Sequence, residues 1–145
     1  MKTMGCYRFL DDVALADCAF DVEGTDPGDV FETAARALAE IMVDPASVPT
    51  TVHHTIVLEA TELDLLLYDW LSELVFRKDR DGVVYTAARV AIAGDGPFRL
   101  VAEVDGGRLD PATSELRADP KAVTLHQFAL GRTAGGWRAR IVIDV

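Results

Sequence analysis

Three aspartates, Asp11, Asp12 and Asp17, fall within seven residues of one another in the stretch "FLDDVALADCAFDVEG". Carboxylates are hard oxygen donors of the kind that Ca2+ and Mg2+ take. The cluster therefore has three readings: a solvated turn, a helix cap, or a site that holds a cation. At the far end of the sequence Asp144 is followed by Val145, whose terminal carboxylate adds oxygen donors where a strand finishes. If that strand lies beside the one that follows Asp17, a cation can sit between the chain ends.

Other residue types capable of chemistry are less well arranged. His53, His54 and His126 have no metal-ligand spacing, because adjacent strand residues face opposite sides of a sheet. Ser72 lacks the G-x-S-x-G context of a nucleophile elbow. The glycines of "GDG" and "DGG" are turn glycines, and neither motif runs into the Lys and helix of a phosphate loop. Asp69 and Glu73 fall four apart on one helical face, where they can be paired acids or simply the polar edge of an apolar helix. Cys6 and Cys18 belong to no CxxC pair and read as small buried hydrophobes in a reducing compartment.

The elements that must position these groups follow from periodicity. Residues 18–23 alternate, with Cys18, Phe20 and Val22 to one side and Ala19, Asp21 and Glu23 to the other, as in a half-buried strand. Asp17 shares the second, outward parity. After Gly24, Thr25 or Asp26 can cap a helix with Pro27 in its first turn. Val30, Phe31, Ala34, Leu38, Ile41 and Met42 then recur at helical spacing up to "DPASVP". Residues 52–60 read as a strand leading to a second helix, with Thr61 as its cap and Asp64 at the third helical position. That helix carries Leu63, Leu66, Leu67, Trp70, Leu71, Leu74 and Val75, enough apolar bulk to be buried between layers. Asp81-Gly82 suits a hairpin turn. Residues 83–93, 98–104 and 121–131 and the closing "GWRARIVIDV" read as strands separated by turns. In the last of them Trp137, Ala139, Ile141 and Ile143 share one face, and Arg138, Arg140, Val142 and Asp144 the other. This order predicts an α+β fold, mostly antiparallel β-sheet with two amphipathic helices, and the length predicts a single domain over residues 1–145.

Composition sets the outer bounds. Twenty-four acidic against 14 basic residues give a net charge of −10, which favours solubility and opposes capture of a polyphosphate backbone, so direct nucleic-acid binding is not expected. The surface acidity names no substrate. "MKTMGCYRF" is not a signal peptide, and apolar runs such as "LLLY" are far shorter than the roughly 20 residues of a membrane span. A cytoplasmic location without membrane association is the expectation.

Five segments together resemble the archease family: "YRFLD" at residues 7–11, "FETAARALAEIMVDPASV" at 31–48, "LLLYDWLSELVF" at 65–76, "KAVTLHQF" at 121–128 and "GGWRARIVIDV" at 135–145. They occur in family order and cover almost the whole chain. The resemblance implies an archease-like fold and a non-enzymatic role. It implies a protein cofactor of the RtcB-type RNA ligase, promoting guanylylation and multiple turnover in tRNA splicing and RNA repair. A chaperone-like role is also attached to the family. The acidic surface fits a helper that works on a ligase protein and needs no RNA surface of its own.

The family's metal site, usually assigned to calcium, implies Asp144 and Val145 as ligands here. The remaining ligand is the last aspartate of a family "DHTAD" motif, where this chain reads "DDVALAD". Counting back from Gly24 aligns Asp17 with that ligand and leaves two extra residues. Asp12 stands where the family's histidine would, and the histidine and threonine are absent. Asp11 and Asp12 are additional candidate ligands; Ca2+ is the implied ion, with Mg2+ as the alternative. The altered loop supports a second reading, a divergent member that keeps the fold as an interaction or chaperone-like module without ligase activation. A third, a metal-dependent hydrolase using the same carboxylates, lacks an assembled nucleophile, base and oxyanion arrangement.

Overall fold

A computed structural model describes residues 5–10 and 17–145. The strands β1 (Cys6–Leu10) and β2 (Asp17–Gly24) lead into helix α1 (Pro27–Met42), a single 3-10 turn (Pro45–Ser47) and β3 (Val52–Ala60). Helix α2 (Leu63–Asp81) follows, then β4 (Val83–Ala93), β5 (Phe98–Arg108), β6 (Ala122–Thr133) and β7 (Gly136–Asp144). All strand pairs are antiparallel, in a four-stranded sheet of order β1-β2-β7-β6 and a three-stranded sheet of order β3-β5-β4. The fold is α+β with two helices, as expected.

The helix ends follow local chemistry. Asp26 caps α1, its Oδ1 accepting the Asp29 N–H at 2.8 Å, and Pro27 fills the first turn, where no donor is missed. The predicted apolar positions Val30, Phe31, Ala34, Leu38, Ile41 and Met42 are all buried. The expected Thr61 cap does not form: Glu62 is the N-cap of α2 and makes no side-chain capping bond, and Asp64 instead accepts the N–H of Leu65. Asp81-Gly82 is not a hairpin turn either. Gly82 sits at φ +66 as the left-handed C-cap of α2, its N–H donating to the Lys78 carbonyl at 2.8 Å. A hairpin and a helix stop both call for glycine at positive φ, and here the preceding helix decides between them.

The two sheets and the two helices close on one core. Phe20, Val22, Ile141 and Ile143 come from the four-stranded sheet, and Ile56, Leu100, Ala102 and Val104 from the three-stranded one. The helices supply Phe31, Leu38, Leu67, Trp70 and Leu71. Trp70 is fully buried and donates its indole N–H to the Phe31 carbonyl at 3.0 Å, tying α2 to α1. Glu32 reaches from α1 to accept the Val90 N–H at 2.8 Å, covering the outer edge of β4. Among the described residues, no helix is long and apolar enough to cross a membrane.

A further expectation is corrected. Cys6 is exposed rather than buried, because it lies on β1 at the edge of its sheet; Cys18 is half-buried, and both thiols are free. The strand expected over residues 121–131 forms as β6, with a bulge in its pairing to β7. Thr124 pairs with Val142 and the next pair is Ala129 with Arg140, so residues 125–128 stand against Ile141 alone. Gln127, at φ +57, carries the turn of this excursion.

Candidate metal centre at the paired strand ends

The register between β2 and β7 decides what the candidate ligands share. Asp17 is the direct cross-strand partner of Asp144, Cys18 of Ile143 and Ala19 of Val142. The first and last long strands therefore lie side by side, and position 17 falls on the same sheet face as position 144. The core face of the ladder is set by Cys18, Phe20 and Val22 against Ile143, Ile141 and Ala139, as the alternation predicts. Asp144 is half-buried on the opposite face, where β7 ends. Its backbone carbonyl accepts the Lys121 N–H at 2.7 Å, so the start of β6 fixes it from the other side. Val145 packs its side chain against the core.

Of the five candidate ligands, the fold brings three positions together, Asp17, Asp144 and Val145. Asp11 and Asp12 lie outside the described residues, and Asp17 is described by its backbone. Among the described residues, no group of three His, Cys, Asp or Glu stands close enough to hold a metal ion. A site here thus depends on Asp17 joining Asp144. The donor set is oxygen throughout, which fits Ca2+ or Mg2+ and disfavours the softer ions that call for nitrogen or sulfur.

The remaining candidates are engaged elsewhere. Glu73 accepts from Nε of Arg77 at 2.8 Å, one turn along α2, so it is no partner acid of the exposed Asp69. His53 and His54 do point to opposite faces of β3. His54 meets the Tyr85 hydroxyl at 2.7 Å, whereas His53 lies between Asp105 (2.5 Å from Nδ1) and Glu103 (2.9 Å from Nε2). The hydrogen bond to Asp105, with Glu103 in support, raises the His53 pKa above its ordinary value.

Asp21 was legible in the alternation only as an outward acid. It is 5% exposed, because Arg138 and Arg140 of β7 fold over it. Their hydrogen bonds, Arg140 foremost, hold its carboxyl at about 2. The signal that could have found this cluster was the sequence "WRARI", two arginines two apart on one strand face.

Residues 7–145 match the Archease protein family (MTH1598/TM1083). The chain belongs to the archease family. Its relatives include the archease of Methanosarcina barkeri, 32% identical over 141 residues that span 96% of this chain and 95% of that protein. The solution structure of protein 1598 from Methanobacterium thermoautotrophicum is similar with a TM-score of 0.79 at 29% identity, covering 96% of this chain and 98% of that one. A crystal structure from Thermotoga maritima, described as an archease and possible chaperone, shares the fold with a TM-score of 0.64 at 16% identity, covering 95% and 98%.

Proposed function

We propose that this archease is a protein cofactor of an RtcB-type RNA ligase in tRNA splicing and RNA repair, promoting guanylylation and repeated turnover of that enzyme. Family membership supports the role. The observation that carries it to particular residues is the pairing of Asp17 with Asp144 across β2 and β7. In this reading the two aspartates, with the carboxylate of Val145, hold one divalent cation at the strand ends, Ca2+ first and Mg2+ second. When bound, the ion supplies a localised positive charge that polarises oxygen groups brought to it. The chain's own part is to position it: β7 presents Asp144 at its end, Lys121 fixes that backbone, and the packed side chain of Val145 limits where its carboxylate can lie. Covalent chemistry stays with the ligase.

A chaperone-like interaction module is the second reading, favoured by the description of the Thermotoga maritima neighbour as a possible chaperone and by the two extra residues before Asp17. Ligase guanylylation measured with and without the protein separates the two. Acceleration by wild type that is lost in Asp144→Ala supports the cofactor role; no acceleration, or full acceleration by the variant, overturns it and leaves the module.

A further inference from the structure

The three-stranded sheet packs one face on the core and the helices and, among the described residues, leaves the other uncovered. Cross-strand partners point to the same side, so the register fixes what the open face presents. Its middle row is Val57, Val101 and Ala91, none of which belongs to the core, and Val57 is 50% exposed. Ala87 and Ala93 of β4 are exposed on the same face, so between them Arg89 is the one polar side chain of that strand there. The solvated face of an antiparallel sheet is ordinarily polar. Here an apolar row runs across all three strands.

The charges on either side of that row are ordered. On β5, Arg99 stands two residues before Val101 and Glu103 two residues after it. Glu103 is held in place, its carboxylate meeting Nε2 of His53 and the Thr55 hydroxyl, each at 2.9 Å. Arg89 and Arg99 are exposed, and among the described residues neither guanidinium has an acceptor, although Glu103 and Glu59 stand directly across from them. Two arginines and His53 thus share the face with three acids, Glu59, Glu103 and Asp105, which leaves it close to neutral on a chain whose net charge is −10. A contact between identical surfaces must be complementary to itself and so needs both signs in one patch.

We propose that this face is a weak dimer interface, covered by the same face of a second copy of the chain. A two-fold axis between the stacked sheets, crossing the strands over the middle row, runs β5 antiparallel to its counterpart. It sets Glu103 against Arg99 of the second copy and Arg99 against its Glu103, with the apolar rows meeting between the two ion pairs. An axis along β5 would instead stack Glu103 on Glu103 and Arg99 on Arg99, so charge selects the first arrangement. Aligned sheets pack with their strands about 30° apart, and the alanines of β4 leave room for close approach. Copies of so acidic a chain also repel each other least where the surface is near neutral. Three strands about 4.8 Å apart, with seven residues of about 3.3 Å each, make a face of about 14 by 23 Å. That is smaller than the roughly 800 Å2 per partner of a stable interface, so the association is transient. The surface lies on the other sheet from Asp17 and Asp144 and does not rest on the ligase role.

The test is sedimentation equilibrium of the full chain from about 10 μM to 1 mM, with amide NMR shifts followed over the same range. The expected result is a reversible monomer–dimer equilibrium, with concentration-dependent shifts centred on Val57, Ala91 and Val101. Arg99→Glu and Glu103→Arg each bring like charges together and should weaken the dimer by about tenfold or more. Combined, they exchange the two signs and should restore it, an outcome that a loss of folding cannot imitate. Both side chains lie on the open face, so the spectrum of the core should be unchanged in every variant. A monomer at about 1 mM, shifts centred on another surface, single variants that associate like wild type, or a double variant that stays monomeric would overturn the proposal.

Discussion

Arg140 clasps Asp21 side-on across the β2–β7 ladder, donating Nε to Oδ1 at 2.8 Å and Nη2 to Oδ2 at 3.0 Å. The pair joins the second strand to the last and makes the fold sensitive to acid. The Asp21 carboxyl is lowered from an ordinary 3.8 to about 2, so its contribution is complete above pH 4 and is lost as pH falls through 2. Two partly exposed arginines screen the interaction, which brings the contribution to about 1–2 kcal/mol. Asp21→Asn should therefore lower stability at pH 7 by that order and flatten the difference from wild type between pH 4 and 2. Urea denaturation at pH 7, 4 and 2.5 measures it, and an unchanged difference at pH 2.5 would refute the assignment.

His53 behaves with the opposite sign. Its pKa is raised by Asp105 and Glu103, so the charged imidazolium is favoured by the fold. The stabilisation is fully present below the ordinary value of 6.5 and disappears as pH rises through the higher folded value. The ring is exposed and the effect on stability is small. The clear readout is the NMR titration of His53 itself, which should midpoint above 6.5 in wild type and move down in Asp105→Asn. A midpoint unmoved by that change would show that the contact does not persist in solution.

Burial of Trp70 against the Phe31 carbonyl makes a sharper stability prediction. Trp70→Phe retains most of the apolar volume but leaves a buried acceptor without its donor, which costs about 1–3 kcal/mol. Trp70→Ala adds a cavity and should cost about 3–5 kcal/mol. Thermal melts of both variants order the two terms; a Trp70→Phe variant as stable as wild type would mean that the hydrogen bond contributes nothing.

Much of this architecture was legible because period and core coincide. Phe20, Val22, Ile141 and Ile143 alternate with polar neighbours, and Val30 to Met42 repeat at helical spacing, so burial could be read directly. What could not be read involves choices made by distant residues. β1 is an edge strand whose residues are mostly exposed, and it forms because Tyr7, Arg8 and Phe9 find partners on β2, a pairing without a local pattern. The division into two sheets depends on β3 pairing with β5 rather than with a strand of the other sheet, again a matter of tertiary fit. At the candidate metal site the conditional reading survives in its backbone part: β7 does lie beside β2, and position 17 meets position 144. The arginine cover over Asp21 was hidden because alternation gives a side chain's face and says nothing of what lies across it.

The pairing of Asp17 with Asp144 yields a prediction that stability measurements can separate from folding. Asp144 is half-buried at the end of β7, and its backbone is held by Lys121 whatever the side chain. Asp144→Asn keeps the shape and one acceptor oxygen but removes a charge, so without metal its stability should match wild type within about 0.5 kcal/mol. A cation that binds only the folded state stabilises it in proportion to the logarithm of its concentration over the dissociation constant. Millimolar Ca2+ should therefore raise the wild-type melting temperature and leave Asp144→Asn and Asp17→Asn unmoved, with Zn2+ at equal concentration a poorer substitute than Mg2+. Should calcium shift all three proteins alike, the ion binds elsewhere and the strand ends are not its site.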